Sequence, residues 1–184
     1  MAFRKTAFLF FLLAALAPWR PVFAAPVDSL RRAPEISGPV WFNVEANSRI
    51  SLKSLRGQVV LIFFWNTTDQ RSLEVIPRIN AWYERYKNRG LEVIGVCASE
   101  WGFDISEAAV LNKVREREIG FPVVMDTDGS IWVAYHLSAW PSLYLIDRKG
   151  YIRGEFRYDF SWKDADLMLQ MLLDEGRSKL LDKM

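Results

Sequence analysis

Apolar runs separated by turn-forming and charged segments set the order of elements along this 184-residue chain. Val59 to Trp65 is unbroken, rich in β-branched and aromatic residues, and bounded by Gly57 and by Asn66-Thr67-Thr68-Asp69. So short a run without alternation predicts a strand covered on both faces, as in the middle of a parallel sheet. The next segment has a helical period that puts Leu73, Ile76, Asn80, Tyr83 and Tyr86 on one face. It stops at Asn88-Arg89-Gly90, where Gly90 suits a left-handed cap. Leu91 to Cys97 repeats the buried-strand pattern, which completes a βαβ unit with an expected right-handed crossover.

Beyond it, Asp104 or Ser106 is placed to cap a second helix with Ala108, Leu111 and Val114 inward, stopping at Gly120. Pro122 to Met125 reads as a short strand and Ile131 to His136 as one or two helical turns. Ser142–Asp147 and Tyr151–Phe156 flank the turn Arg148-Lys149-Gly150, an antiparallel hairpin. A closing helix begins near Trp162, with Leu167, Met168, Met171 and Leu172 as its apolar stripe. The order βαβ then ββα predicts an α/β fold: a mixed central sheet with helices on both faces.

The N-terminal part reads differently. Residues 1–24 have the form of a secretory signal. Arg4 and Lys5 precede an apolar stretch from Thr6 to Ala17, and Val22-Phe23-Ala24 offers small residues for cleavage after Ala24. That stretch falls short of the ~20 residues a membrane-spanning helix needs; the rival reading is an uncleaved anchor. Residues 25–39, with Pro26, Pro34, Gly38 and Pro39, read as an extended leader to a domain over residues 40–180. Val40–Val44 and Arg49–Leu52 around Ala46-Asn47 suggest an entry hairpin.

Composition narrows the function classes. With 51% hydrophobic and 25% charged residues, the chain is globular. The formal charge of +2 becomes −1 once the signal, which carries three cations and no acid, is removed. Neither value points to nucleic acid. The single cysteine, Cys97, excludes an internal disulfide although the expected compartment is oxidising. His136, the only histidine, has no clustered carboxylate or thiol, so no metal or other cofactor is implied. Ser72 with His136 makes a poor triad, because no nucleophile-elbow glycines accompany it.

Five local features, in this order and spacing, resemble the thioredoxin superfamily, and most closely its exported TlpA/ResA-like, redoxin-type thiol–disulfide branch. They are Leu52–Gly57 before the first long strand, Phe63-Phe64-Trp65-Asn66-Thr67 at its end, Pro77 five residues after Ser72, Asp126-Thr127-Asp128-Gly129 before Ile131–Tyr135, and Trp140-Pro141 opening the strand to Asp147. The resemblance covers about residues 35–175. It implies a thioredoxin-like three-layer fold with a kinked first helix and a cis bond at Trp140–Pro141. It also implies that the residue before that proline pairs by its backbone with an extended peptide.

At the strand-to-helix junction the family carries Trp-Cys-x-x-Cys, with the first thiolate stabilised by the helix N-terminus. The matching residues here are Thr68-Asp69-Gln70-Arg71-Ser72, so Asp69 takes the nucleophile's place and Ser72 that of the resolving thiol. Neither side chain can attack a disulfide. Peroxiredoxin-like and glutathione-peroxidase-like readings fail for the same reason. Asp69 can instead cap the helix, and Asp69, Arg71 and Ser72 can present polar groups to a partner. Trp140 either packs or offers an aromatic surface.

The reading that follows is an exported, periplasmic or secreted, redox-inactive module that binds another exported protein or peptide at Asp69, Ser72, Trp140 and Pro141. Two alternatives stand beside it. One is a redox enzyme using Cys97 with an external resolving thiol, although a cysteine at the end of a buried strand is more simply a small hydrophobe. The other is a membrane-anchored assembly factor.

Overall fold

A computed structural model describes residues 31–45, 50–98 and 106–181, with side chains to residue 175. The expected signal over residues 1–24, the start of the leader, the Ala46-Asn47 turn and Asp104 lie outside the described residues. The strands are β1 (Trp41–Phe42), β2 (Val59–Trp65), β3 (Leu91–Ala98), β4 (Val123–Asp126), β5 (Ser142–Ile146) and β6 (Ile152–Arg157). The helices are α1 (Gln70–Tyr86), α2 (Glu107–Glu116), α3 (Ser130–Ala134) and α4 (Trp162–Leu181). The sheet runs β1-β4-β3-β2-β5-β6. Its centre is the parallel set β4-β3-β2; β5, β6 and β1 add antiparallel neighbours.

All seven residues of β2 are buried, because the strand lies in the middle of the sheet with apolar cover on both faces. Val59, Leu61, Phe63 and Trp65 meet Ile76, Ile79 and Trp82 of α1, Val110 and Val114 of α2, and Leu169 and Leu172 of α4. Val60, Ile62 and Phe64 meet Ile131 of α3 and Tyr135 on the other face, with Ile36 and Leu52. This is the thioredoxin-like α/β architecture, with a mixed sheet between helical layers.

Four local expectations are corrected. Among the described residues, 40–44 form no ladder with 50–52; β1 pairs with β4 instead, Trp41 opposite Val124. Asn43 secures that pairing by donating to the carbonyls of Ile119 and Phe121, at 2.7 and 3.0 Å. The buried face of α1 is Ser72, Leu73, Ile76, Ile79, Trp82 and Tyr86, rotated from the expected one. Asn80 instead donates to the carbonyls of Arg117 and Glu118 just past α2. In α4 the core residues are Ala165, Leu169, Leu172 and Leu173, while Leu167 and Met171 are 58% and 46% exposed. In α2, likewise, Val110 and Val114 are buried while Ala108 is exposed.

Residues 31–36 are held to the domain. Arg32 bridges Tyr151 in antiparallel fashion, Ala33 and Ile36 are buried, and the Glu35 carboxylate accepts the backbone N–H groups of Leu52 and Lys53. Gly90 takes φ +87° and closes the short 3-10 turn after α1, a conformation that costs glycine little. Pro77 sits inside α1 on its exposed side. Among the described residues no helix is long and apolar enough to cross a membrane.

Candidate functional site

The C-terminal ends of β2, β3 and β4 lie along one edge of the sheet, and β5 starts there. Four segments converge on this edge: Asn66–Ser72, the end of β4 into α3, Trp140–Ser142, and the residues after β6. The first is shaped by short-range hydrogen bonds. Asn66 donates to the Ala98 carbonyl at 3.0 Å, tying the loop to β3. Its carbonyl oxygen accepts both the Thr68 N–H and the Thr68 hydroxyl, at 2.9 and 2.8 Å.

Asp69 follows in an extended conformation as the N-cap of α1. One of its carboxylate oxygens, Oδ1, accepts the Ser72 backbone N–H and the Ser72 hydroxyl, each at 2.7 Å. An N-cap carboxylate satisfies an otherwise orphan donor and suits the positive end of the helix dipole. Ser72 is fully buried and Asp69 half-buried. The two positions that the resemblance sets against the family's sulfur pair are thus joined by a hydrogen bond, with Asp69 half-buried and Ser72 covered.

Pro141 lies one residue before Ser142, which is opposite Phe64, so it falls beside the end of β2. The Trp140–Pro141 bond is cis. Ser142 is fully buried and its hydroxyl donates to the Ala139 carbonyl at 2.8 Å. Trp140 is half-buried, its ring tilted against Trp132 with centroids 4.8 Å apart, and its indole N–H is buried without a hydrogen-bond partner.

The link between Trp140–Pro141 and α1 comes from a residue the sequence reading did not single out. Tyr158 donates its backbone N–H to the Pro141 carbonyl at 2.9 Å, and its ring lies 4.2 Å under the guanidinium of Arg71. Tyr158 is half-exposed and has φ +55°. A left-handed, non-glycine backbone of this kind is uncommon and concentrates at binding and active sites. Asp69, Arg71 and Ser72 are therefore connected to Pro141 through Tyr158. Nothing local marks Tyr158, whose partners lie far from it in the chain.

Two further groups lie at the strand ends beside this edge. Cys97 pairs with Trp65 and Met125 across neighbouring strands and is fully buried. Burial pushes its thiol up to about 12, against a weaker opposing hydrogen bond from the Thr67 backbone. A deprotonated, accessible thiol is what cysteine chemistry needs, and this environment disfavours it. Asp126, at the end of β4, is buried and accepts the N–H groups of Ile131 and Trp132 at 3.1 and 2.8 Å. Its carboxyl is shifted upward by burial, against those two hydrogen bonds. Asp126 thus holds the start of α3 and with it Trp132. His136 is exposed and apart from any acidic cluster; no group of His, Cys, Asp and Glu among the described residues could hold a metal ion.

Comparison with known proteins agrees with this architecture. The AhpC/TSA family model matches residues 30–155. Protein DipZ of Mycobacterium tuberculosis is 35% identical over 155 residues, covering 84% of this chain and 22% of DipZ. Thiol-disulfide oxidoreductase ResA of Bacillus thuringiensis is 32% identical over 109 residues, covering 59% of this chain and 60% of ResA. The chain therefore spans about a fifth of DipZ and three fifths of ResA. The crystal structure of a thiol-disulfide isomerase from Corynebacterium glutamicum superposes with a TM-score of 0.67 at 26% identity, covering 77% of this chain and 96% of that one. The chain belongs to the AhpC/TSA family, in the ResA-like branch of the thioredoxin superfamily, and is related to thiol–disulfide oxidoreductases.

Proposed function

We propose that this protein is an exported, noncatalytic member of its family that binds an extended segment of another exported protein. The segment lies along the edge formed by Asp69–Ser72 and Trp140–Pro141. The observation that carries the reading is the Asp69–Ser72 hydrogen bond. Carboxylate and hydroxyl occupy the positions where the relatives' chemistry needs two sulfurs, and thiol–disulfide exchange has no route without a thiolate. Trp140, Trp132 and Tyr158 add partly exposed aromatic surface beside it, the residue type that anchors protein interfaces. Export rests on the signal-like residues 1–24 and on the kinship with thiol–disulfide proteins.

The direct test is insulin reduction by dithiothreitol. No acceleration above the buffer control is expected; clear turnover rejects the noncatalytic reading. The alternative through Cys97 is tested by thiol labelling. With burial pushing its thiol up to about 12, thiolate at pH 8 is far scarcer than for a free cysteine. Burial slows labelling further. Native protein should label slowly and guanidinium-unfolded protein at once; rapid native labelling would revive the single-cysteine enzyme.

A further inference from the structure

α1 carries three arginines seven residues apart, Arg71, Arg78 and Arg85, all exposed. Seven residues are nearly two helical turns, so the three form one stripe, spaced ~10 Å apart along the helix axis. Each guanidinium lies over an aromatic ring: Arg71 over Tyr158 at 4.2 Å, Arg78 over Trp162 at 4.7 Å and Arg85 over Tyr86 at 5.2 Å. None takes part in the ion pairs found among the described residues. The two acids of α1 have other partners, Glu74 accepting from Gln70 at 3.1 Å and Glu84 pairing with Lys87 at 2.6 Å.

A stacked guanidinium has its face occupied, but its N–H donors lie in the plane of the group and stay open at the edge. Stacking also restricts the side chain beforehand, so less freedom is lost when a carboxylate docks. The stripe starts at Arg71, inside the candidate site, and runs away from it along α1. We infer that Arg71, Arg78 and Arg85 form the acidic-segment subsite of the partner-binding edge: the bound polypeptide carries carboxylates on the stretch that leaves the Trp140–Pro141 region along α1. Three residues of a polyproline II-like extended chain cover ~9 Å and return the side chains to one face, so acids about three positions apart match the stripe. This rests on the reading that the edge binds a polypeptide.

The test uses the full chain and a fluorescent decaglutamate peptide, with decalysine as the control probe. The wild type should bind decaglutamate, binding should weaken steeply as salt is raised to about 0.5 M, and decalysine should not bind. The variant R71Q/R78Q/R85Q should lose affinity by about tenfold or more. The control K53Q/R115Q/K149Q, which removes three exposed cations elsewhere, should stay near wild type. Circular dichroism checks that both variants are folded. No binding to decaglutamate, or equal loss in both variants, overturns the proposal. So does anionic phospholipid vesicle binding that depends on the three arginines without peptide binding, which would assign the stripe to a membrane. Insulin turnover would instead overturn the noncatalytic reading and leave this result standing, so the two failures can be told apart.

Discussion

Two strand-to-helix junctions on the same sheet edge use the same device and put it to different ends. At both, an aspartate at or near the end of a strand takes up backbone N–H groups at the start of a helix. Asp126 accepts two of them, from Ile131 and Trp132, and is buried. Asp69 accepts one, from Ser72, together with the Ser72 hydroxyl, and is half-buried. At Asp126 the protein surrounds the carboxylate, and burial raises its pKa. Asp69 is only half-buried, so part of the residue stays open to a partner. One junction is scaffold; the other is where the resemblance sets the family's sulfur pair and where we propose that a partner binds. An aspartate at a helix start is therefore not by itself a functional sign; its exposure and its neighbours separate the two.

The comparison can be broken in several ways. The largest effect is expected from D69C/S72C, which restores the sulfur pair at a helix N-terminus. Insulin reduction should rise from the buffer rate to about tenfold or more above it, and a chain that stays inert would show that the open junction no longer has the family's geometry. Next comes Asp126→Ala, which leaves two N–H groups unpaired in a buried place. Denaturant unfolding should show a loss of about 3 kcal/mol, and a loss no larger than that of Asp69→Ala would erase the distinction between the junctions.

Asp126 also carries a pH signature. Its folded pKa is raised, so the folded state holds the proton more tightly than the unfolded chain does. Its contribution to stability is present below the ordinary carboxylate range and declines as pH rises through the raised value. Relative to Asp126→Asn, the wild type should therefore gain stability as pH falls through that window; a pH-independent difference contradicts the assignment. The smallest effect is expected for Asp69→Ala, a loss of about 1 kcal/mol from a missing cap, with the fold intact by circular dichroism.

Much of this was legible in the residues. The unbroken run Val59–Trp65 could only be covered on both faces, and it is the central strand. Gly90 and the Arg148–Gly150 turn act locally, so the chain ends and reverses where they stand. Other expectations failed where the answer lay with a distant segment. Two interleaved apolar stripes fit α4, and its packing decided that Leu169 and Leu173 go in while Leu167 and Met171 stay out. Asn80 lies on α1's flank because the carbonyls past α2 are there to receive it. β1 has one pairing candidate near in sequence and another far along the chain, and it pairs with the distant one, β4.

By itself the sequence determined the strand and helix order, the family spacing, and the absence of a second cysteine, since these depend on residue type and on neighbours a few positions away. It also placed Asp69 and Ser72 at the junction. Only the tertiary structure decided that Tyr158 joins Arg71 to Pro141 and that Trp132 meets Trp140. Contacts between segments far apart in the chain arise when the sheet and its helices close together, and no local pattern encodes them.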